Sequence, residues 1–209
     1  MDVVLPLLAV VGAYLVGSLS FAVIVSKGFG LSDPRTYGSK NPGATNVLRS
    51  GNKAAAAVTL LLDAIKGWLP MWAVKTWGMA HGLGDVTLAA VGLAAFIGHL
   101  FPVFFRFKGG KGVATAAGML FGVDLWLGVL TLAAWIGVVA ATRYSSLGAL
   151  VASVCAPAIY LFGSGELWVM SGPVAGAIVA MGAFLVWRHA ENISRLMQGK
   201  ESKLGSKQS

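Results

Sequence analysis

Three polar stretches interrupt an otherwise apolar chain, and their residue types are those that handle anions. The first is Gly38-Ser39-Lys40-Asn41-Pro42-Gly43-Ala44-Thr45-Asn46-Val47-Leu48-Arg49. Its Gly, Asn, Ser and Pro residues predict a tight, non-helical loop. Hydroxyls, amides and a planar guanidinium suit phosphate oxygens; the plainer account is a turn-rich connection. Ser50 and Asn52 follow as candidate caps for the next helix.

The second stretch runs from Gly98-His99 through Arg106, Lys108-Gly109-Gly110-Lys111-Gly112 to Thr115. Glycines between two lysines allow close backbone approach to a ligand, and successive amides can form an anion nest. The stretch also opens a helix, whose N-terminus favours anions. It is not a P-loop: Gly112 follows Lys111 where Ser or Thr is required, and Phe105 stands where the first glycine belongs. The plainer account is a basic membrane-surface anchor, but the interleaved glycines favour a ligand site. The third stretch is Arg188-His189-Ala190-Glu191-Asn192-Ile193-Ser194-Arg195 and onward to Glu201. As a helix it sets Arg188, Asn192 and Arg195 on one face, with His189 beside them; it also reads as a juxtamembrane end that binds headgroups. Arg143-Tyr144-Ser145-Ser146 is a shorter fourth piece.

The elements that must hold these stretches are membrane helices. The chain of 209 residues is 56% hydrophobic and 11% charged, less than half the charge of a typical soluble domain, about 25%. Uncharged runs at 3–25, 86–105 and 167–187 are each long enough to cross a hydrocarbon core about 30 Å thick. The first lacks a basic leader segment and reads as a retained helix, not a secretory signal. Further apolar runs cover 54–74, 113–142 and 147–162. Of the 16 basic residues, 14 fall in the connections 26–53, 106–112 and 143–146 and in the tail from 188. The positive-inside bias places all four in the cytoplasm. The run 113–142 must then cross twice, turning near Gly122-Val123-Asp124. The expectation is an all-α integral membrane protein of seven transmembrane helices, two of them short, with the N-terminus outside and the C-terminus cytoplasmic. Residues 1–201 form one transmembrane domain, and 202–209 read as a disordered tail. In this topology the second, fourth and sixth helices begin at the cytoplasmic face, after Arg49, Lys111 and Arg143, so three positive dipole ends share one compartment.

The same bias accounts for the net charge of +8 without nucleic acid. Cys155 is a lone cysteine in an apolar run and reads as core; no Cys/His metal spacing exists. Asp63 and Lys66 lie three residues apart inside the second run, on one helix face. Intramembrane charges mark functional sites or structural ion pairs, and the sequence leaves both open.

Together these residues resemble the bacterial acyl-phosphate-dependent glycerol-3-phosphate acyltransferases, the PlsY family, over nearly the whole chain. The resemblance rests on the three ordered motifs, the small apolar frame and the Asp63-x-x-Lys66-Gly67 piece. It implies transfer of a fatty acyl group from acyl phosphate to the sn-1 hydroxyl of glycerol 3-phosphate, the first acylation of phospholipid synthesis, giving lysophosphatidic acid and phosphate. It also implies no acyl-CoA, no metal and no cofactor, a site on the cytoplasmic face of the inner membrane, and a soluble enzyme that makes the acyl phosphate. Ser39, Asn41, Gly43, Thr45, Asn46 and Arg49 fall on the family's first motif. His99, Lys108, Gly109, Gly110 and Lys111 fall on its second, and His189, Asn192 and Arg195 on its third. Ser146 falls on a serine of the phosphate pocket, and Lys40 stands where many members have glycine.

Acyl phosphate is an activated mixed anhydride, so no covalent nucleophile is required, and two anionic substrates require cations and amide donors. A His followed by Asp at the usual acyltransferase spacing is missing: Phe104 lies five past His99, and Asp85 only four past His81. The expected catalytic residues are Ser39, Arg49, Lys108, His189 and Asn192. Those expected to bind substrate and its phosphates are Asn41, Gly43, Thr45, Asn46, His99, Gly109, Gly110, Lys111, Ser146 and Arg195. The base is His189 or the substrate's own phosphate. A transporter of phosphorylated anions is the alternative, disfavoured because every motif sits on one face and no internal repeat is found. A lipid-binding scaffold accounts for the basic tail but not for the glycines.

Overall fold

The computed structural model describes residues 3–205, and among them regular structure is helical, with no strand beyond an isolated Ser164–Trp168 bridge. Helix α1 (Val4–Gly17) and α2 (Phe21–Gly28) form a pair bent by 44°. The bend lies at Ser18-Leu19-Ser20, where the Ser18 hydroxyl donates back to the Tyr14 carbonyl at 2.8 Å. A long loop holding the first motif leads through the single turn α3 (Ala44–Leu48) to α4 (Lys53–Ala73). Asn52 caps α4 as expected, its side chain accepting from the Ala55 amide at 2.9 Å. A π turn (Val74–Gly78) and a 3₁₀ turn (Met79–His81) extend α4 before α5 (Asp85–Leu100). The second motif then leads into α6 (Val113–Val123), followed by α7 (Leu125–Thr142), α8 (Ser145–Phe162), α9 (Gly172–Arg188) and α10 (Ala190–Met197), the last two bent by 55°.

Four helical stretches, Lys53–His81, Asp85–Phe105, Leu125–Thr142 and Ser145–Phe162, are long and apolar enough to cross a membrane; each bent pair adds one more if taken as a single span. The run 113–142 does divide in two at the expected place. Asp124 starts α7 by accepting from the Trp126 and Leu127 amides at 2.7 and 3.4 Å, and α7 packs back on α6. Only one of the pair is short, however: α7 has 18 residues, against 11 in α6. At about 1.5 Å per residue α6 reaches roughly half of a hydrocarbon core. It tolerates this because α4, α5, α7 and α9 surround it and bury Thr115, Ala116, Gly118, Met119, Leu120 and Gly122. By contrast α7 leaves Leu125, Trp126, Leu130 and Ile136 exposed, a lipid-facing surface.

Of the tail expected to be disordered, residues 206–209 lie outside the described residues. Within its described part, Leu204 and Arg143 exchange hydrogen bonds: the Leu204 amide donates to the Arg143 carbonyl, and the Arg143 guanidinium to the Leu204 carbonyl, both at 2.8 Å.

Where there is little hydrophobic drive between helices, small residues set their spacing. A Cβ on Gly118 of α6 would stand 1.9 Å from the Ala64 carbonyl oxygen of α4, and one on Gly67 of α4 would stand 2.1 Å from that of Thr115. These helices meet backbone to backbone, and that contact draws the second motif, at the start of α6, toward the first, at the start of α4. Gly118→Ala forces the two apart and costs about 1–3 kcal/mol, read as a lower Tm in detergent. Gly137→Ala on α7, where a Cβ meets nothing within 4 Å, leaves Tm near wild type.

Candidate active site

The first motif is a loop organised from within by Asn46, which is buried. Its amide nitrogen donates to the carbonyls of Pro34 (2.6 Å) and Tyr37 (3.2 Å), and its oxygen accepts from the Ser39 amide (3.1 Å) and Arg49 Nη1 (3.4 Å). Asn46, expected as a phosphate ligand, instead spends its hydrogen bonds shaping the loop. Ser39, Thr45 and Arg49 are exposed on the loop's surface and Asn41 is half-buried. Gly43 supplies the carbonyl that starts α3, accepting from the Asn46 and Val47 amides at 3.0 and 3.1 Å. Lys40 has φ 54°, in the left-handed region, where a side chain is strained and glycine is not.

The second motif folds over His99. The Gly110 amide donates to the His99 carbonyl at 3.2 Å, and a Cβ on Gly109 would stand 2.0 Å from that same oxygen. A Cβ on Gly110 would meet His99 Nε2 at 2.3 Å and the Pro42 carbonyl at 2.7 Å, so this glycine is wedged between the second motif's own histidine and the first motif. The glycines are therefore required by close packing as well as by any ligand. The Gly110 amide is engaged inside the protein rather than aimed at an oxyanion, and the buried His99 ring lies beneath the loop. Lys108 is exposed at the loop's tip. Lys111 turns inward and donates to Asn192 Oδ1.

The third motif arrives as a broken helix, the break falling at His189 between α9 and α10. Arg188, on the α9 side, closes the loop from outside: its Nη2 donates to the Gly109 and Gly110 carbonyls at 3.1 and 3.0 Å. Buried His189 has Nδ1 2.8 Å from the Leu185 carbonyl, which fixes Nδ1 as the protonated nitrogen and leaves Nε2 as an acceptor. On α10, Asn192 and Arg195 both reach Glu201. Its Oε1 accepts from Asn192 Nδ2 (2.6 Å) and from Ser146 Oγ at the start of α8 (2.7 Å), while its Oε2 accepts from Arg195 Nε (2.7 Å). Burial pushes the Glu201 carboxyl up, but the bonds from Ser146, Arg195 and Asn192 together hold it below the usual glutamate value. Lys111 is pushed down to about 8 by burial and then by the Arg195 guanidinium, with Glu201 opposing. Arg49 lies within the fields of both Glu201 and Arg195, and Thr45 Oγ1 is 3.5 Å from Ser145 Oγ. All four polar stretches thus meet at one end of the bundle.

Glu201 and Arg188 were not among the expected site residues. Glu201 closes a stretch rich in Arg and Lys, and such an excess of cations is itself a signal that a nearby carboxylate is pinned. Arg188 was visible as a member of the motif, but nothing in its position tells that it ties down a glycine turn 78 residues away.

Residues 7–199 match the family model for glycerol-3-phosphate acyltransferase. The chain is 59% identical over 202 residues to the glycerol-3-phosphate acyltransferase of Albidiferax ferrireducens, covering 97% of this chain and 90% of that one. It is 57% identical over 201 residues to that of Bordetella avium, with 96% and 93% covered. It is similar to two crystal structures of PlsY, an integral membrane glycerol 3-phosphate acyltransferase. The glycerol 3-phosphate form has a TM-score of 0.85 at 39% identity and 96% coverage of both chains. The lysophosphatidic acid form has 0.84 at 38%, with 96% of this chain and 95% of that one covered. On the strength of both its sequence and its helical frame, the chain belongs to the glycerol-3-phosphate acyltransferase family, as an integral membrane member of the PlsY type.

Proposed function

We propose that the protein transfers a fatty acyl group from acyl phosphate to the sn-1 hydroxyl of glycerol 3-phosphate. The hydroxyl oxygen attacks the acyl carbon, the acyl–phosphate C–O bond breaks, and the hydroxyl proton leaves with the inorganic phosphate; lysophosphatidic acid is the other product. The observation that carries this reading is the convergence of Arg49, Lys111, Ser146, Asn192 and Arg195, from four separate connections, around a single carboxylate. Donors that satisfy a carboxylate also suit phosphate.

In this reading Arg49, Lys108, Lys111 and Arg195 hold the two phosphates. Ser39, Asn41, Thr45 and Ser146 bind the phosphate leaving group and the oxygen that gains charge. His189 Nε2 or Asn192 orients the glycerol hydroxyl, and the proton goes to His189 or to substrate phosphate. Asn46, Gly43, Gly109, Gly110 and His99 shape the walls. Holding both reactants in one place supplies much of the rate, which suits a donor that is already activated. The basic end of the bundle is assigned to the cytoplasmic side of the inner membrane, with seven spans and the N-terminus outside, following the positive-inside bias. A soluble enzyme then delivers the acyl phosphate, and membrane lipids surround the bundle.

The direct test is phosphate release by purified protein. Palmitoyl phosphate with glycerol 3-phosphate is expected to support turnover and palmitoyl-CoA is not; turnover with the thioester instead overturns the donor assignment. Lys108→Ala is expected to lose roughly 100-fold or more in kcat/KM, on the order of 3 kcal/mol for a lost oxyanion donor. The Lys111 ammonium is charged below about 8 and neutral above it. kcat/KM for glycerol 3-phosphate therefore falls as pH rises through that value, and Lys111→Arg, which keeps its charge, removes the limb. Because Glu201 is held below its ordinary value, its contribution to stability is present above about 4.3 and fades as pH falls through the lower folded-state value. The Tm gap between wild type and Glu201→Gln is accordingly wide at neutral pH and closes in acid.

A further inference from the structure

The reaction as described leaves one group of buried polar side chains without a task. Asp63 and Lys66 of α4 are each only 2% exposed, with Lys66 Nζ 2.7 Å from Asp63 Oδ1. Lys66 also donates to the Leu19 carbonyl at 2.6 Å, in the break between α1 and α2. On its other side the carboxylate faces α5: Asp63 Oδ1 is 3.6 Å from His99 Nδ1. The same ring nitrogen is 3.3 Å from Thr115 Oγ1 on α6. Asp63 and Thr115 thus flank Nδ1 from two helices, which turns the opposite ring nitrogen, Nε2, to the far side.

That far side is the underside of the glycine turn. His99 touches the turn twice, with its carbonyl through the Gly110 amide and with its ring, against which a Gly110 Cβ would stand 2.3 Å from Nε2. Its 7% exposure and the glycine above it keep the ring from substrate, so it is not the base. The turn has two clamps: Arg188 grips its carbonyls from outside, and His99 supports it from inside. The inner clamp has a footing of its own, because Asp63 and Thr115 face the ring's Nδ1 and set how the ring is turned.

We propose that Asp63 is a positioning residue for acyl transfer: the carboxylate holds His99 against the Gly109-Gly110 turn, so that Lys108 and Lys111 on either side meet the phosphate of glycerol 3-phosphate. This rests on the reaction proposed above. A purely structural ion pair makes a different prediction, since such a pair can be exchanged for apolar residues of similar size with little effect beyond stability.

The test compares two variants that both lack the lysine charge and so leave no unpaired ion. Asp63→Asn with Lys66→Met keeps a polar oxygen facing His99 Nδ1; Asp63→Leu with Lys66→Met does not. The leucine variant is expected to raise KM for glycerol 3-phosphate about tenfold with kcat nearly unchanged, a size typical of coupling between contacting residues, while the asparagine variant stays within roughly threefold of wild type. Equal KM values for two folded variants overturn the proposal. If the leucine variant does not fold, His99→Asn carries the same test, because it keeps the carbonyl link and withdraws the ring; an unchanged KM then overturns it. Calorimetric titration of the same proteins with glycerol 3-phosphate separates this inference from the reaction. A wild type that binds glycerol 3-phosphate without releasing phosphate sinks the reaction and leaves positioning to be judged on affinities. A wild type that binds none overturns both.

Discussion

Arg49, Lys111, Arg188 and Arg195 come from three different polar stretches, and gathering them at one end of a bundle works against their mutual repulsion. Partial burial makes this worse, since water screens less and each cation loses hydration. Everything around them answers that constraint. Glu201 supplies the negative charge, held by Ser146, Asn192 and Arg195. The Gly109 and Gly110 carbonyls take the Arg188 guanidinium, and Asn192 Oδ1 takes Lys111. Asn192 donates to Glu201 while accepting from Lys111, so one amide passes charge compensation from helix α10 to the loop before α6. Cations already oriented for one anion need little rearrangement to hold another, which suits the two phosphorylated reactants of the proposed reaction.

The repulsion can be held in check only because the frame is stiff. Helices α4 and α6 touch through backbone at Gly67 and Gly118, and α1 and α5 do so at Gly17, where a Cβ would stand 2.1 Å from the Ala95 carbonyl. Such contacts fix the spacing of the helix ends, from which the polar loops hang. The short α6 fits the same logic. Enclosed on all sides, it has no lipid face to fill, and its start can be set where the glycine turn needs it rather than where a membrane surface lies.

Much of this was legible in the sequence because membrane proteins put their signals in separate places. Apolar runs gave the helices, the clustering of Lys and Arg gave the basic end, and Asn52 and Asp124 announced the starts of α4 and α7. The length of α7 was misjudged because the turn at 122–124, though correctly placed, was taken as the middle of the run 113–142, whereas it leaves 11 residues to α6 and 18 to α7. Roles inside the site were harder to read. Asn46 and His99 look like ligands in a list of polar residues, yet both face inward: Asn46 because a loop without helical hydrogen bonds needs side chains to satisfy its backbone, His99 because its ring lies beside Thr115 and Asp63 between the helices. Lys40 is strained at φ 54°, and composition alone does not reveal a positive φ.

The placement of carboxylates ties the chemistry to the fold. In the proposed reaction the acyl donor is already activated and does not need a strong base, and a free carboxylate among the phosphate sites would repel both reactants. Of three acidic groups close to the site, Glu191 is exposed 3.8 Å from Arg195, and the other two are constrained. Glu201 is saturated by donors, so its charge is spent on holding the third motif to Ser146. Asp63 is withdrawn into the helices and faces Lys66 and His99 rather than substrate. Neither arrangement makes sense for a His–Asp base, in which the carboxylate must raise the basicity of a ring open to the nucleophile. Here the ring beside Asp63 is capped by Gly110, while His189, the other buried histidine of the motifs, takes its orientation from a backbone carbonyl instead of a carboxylate. On the proposed reading, the cations and the reactivity of the donor carry most of the catalysis, and His189 or substrate phosphate takes the proton.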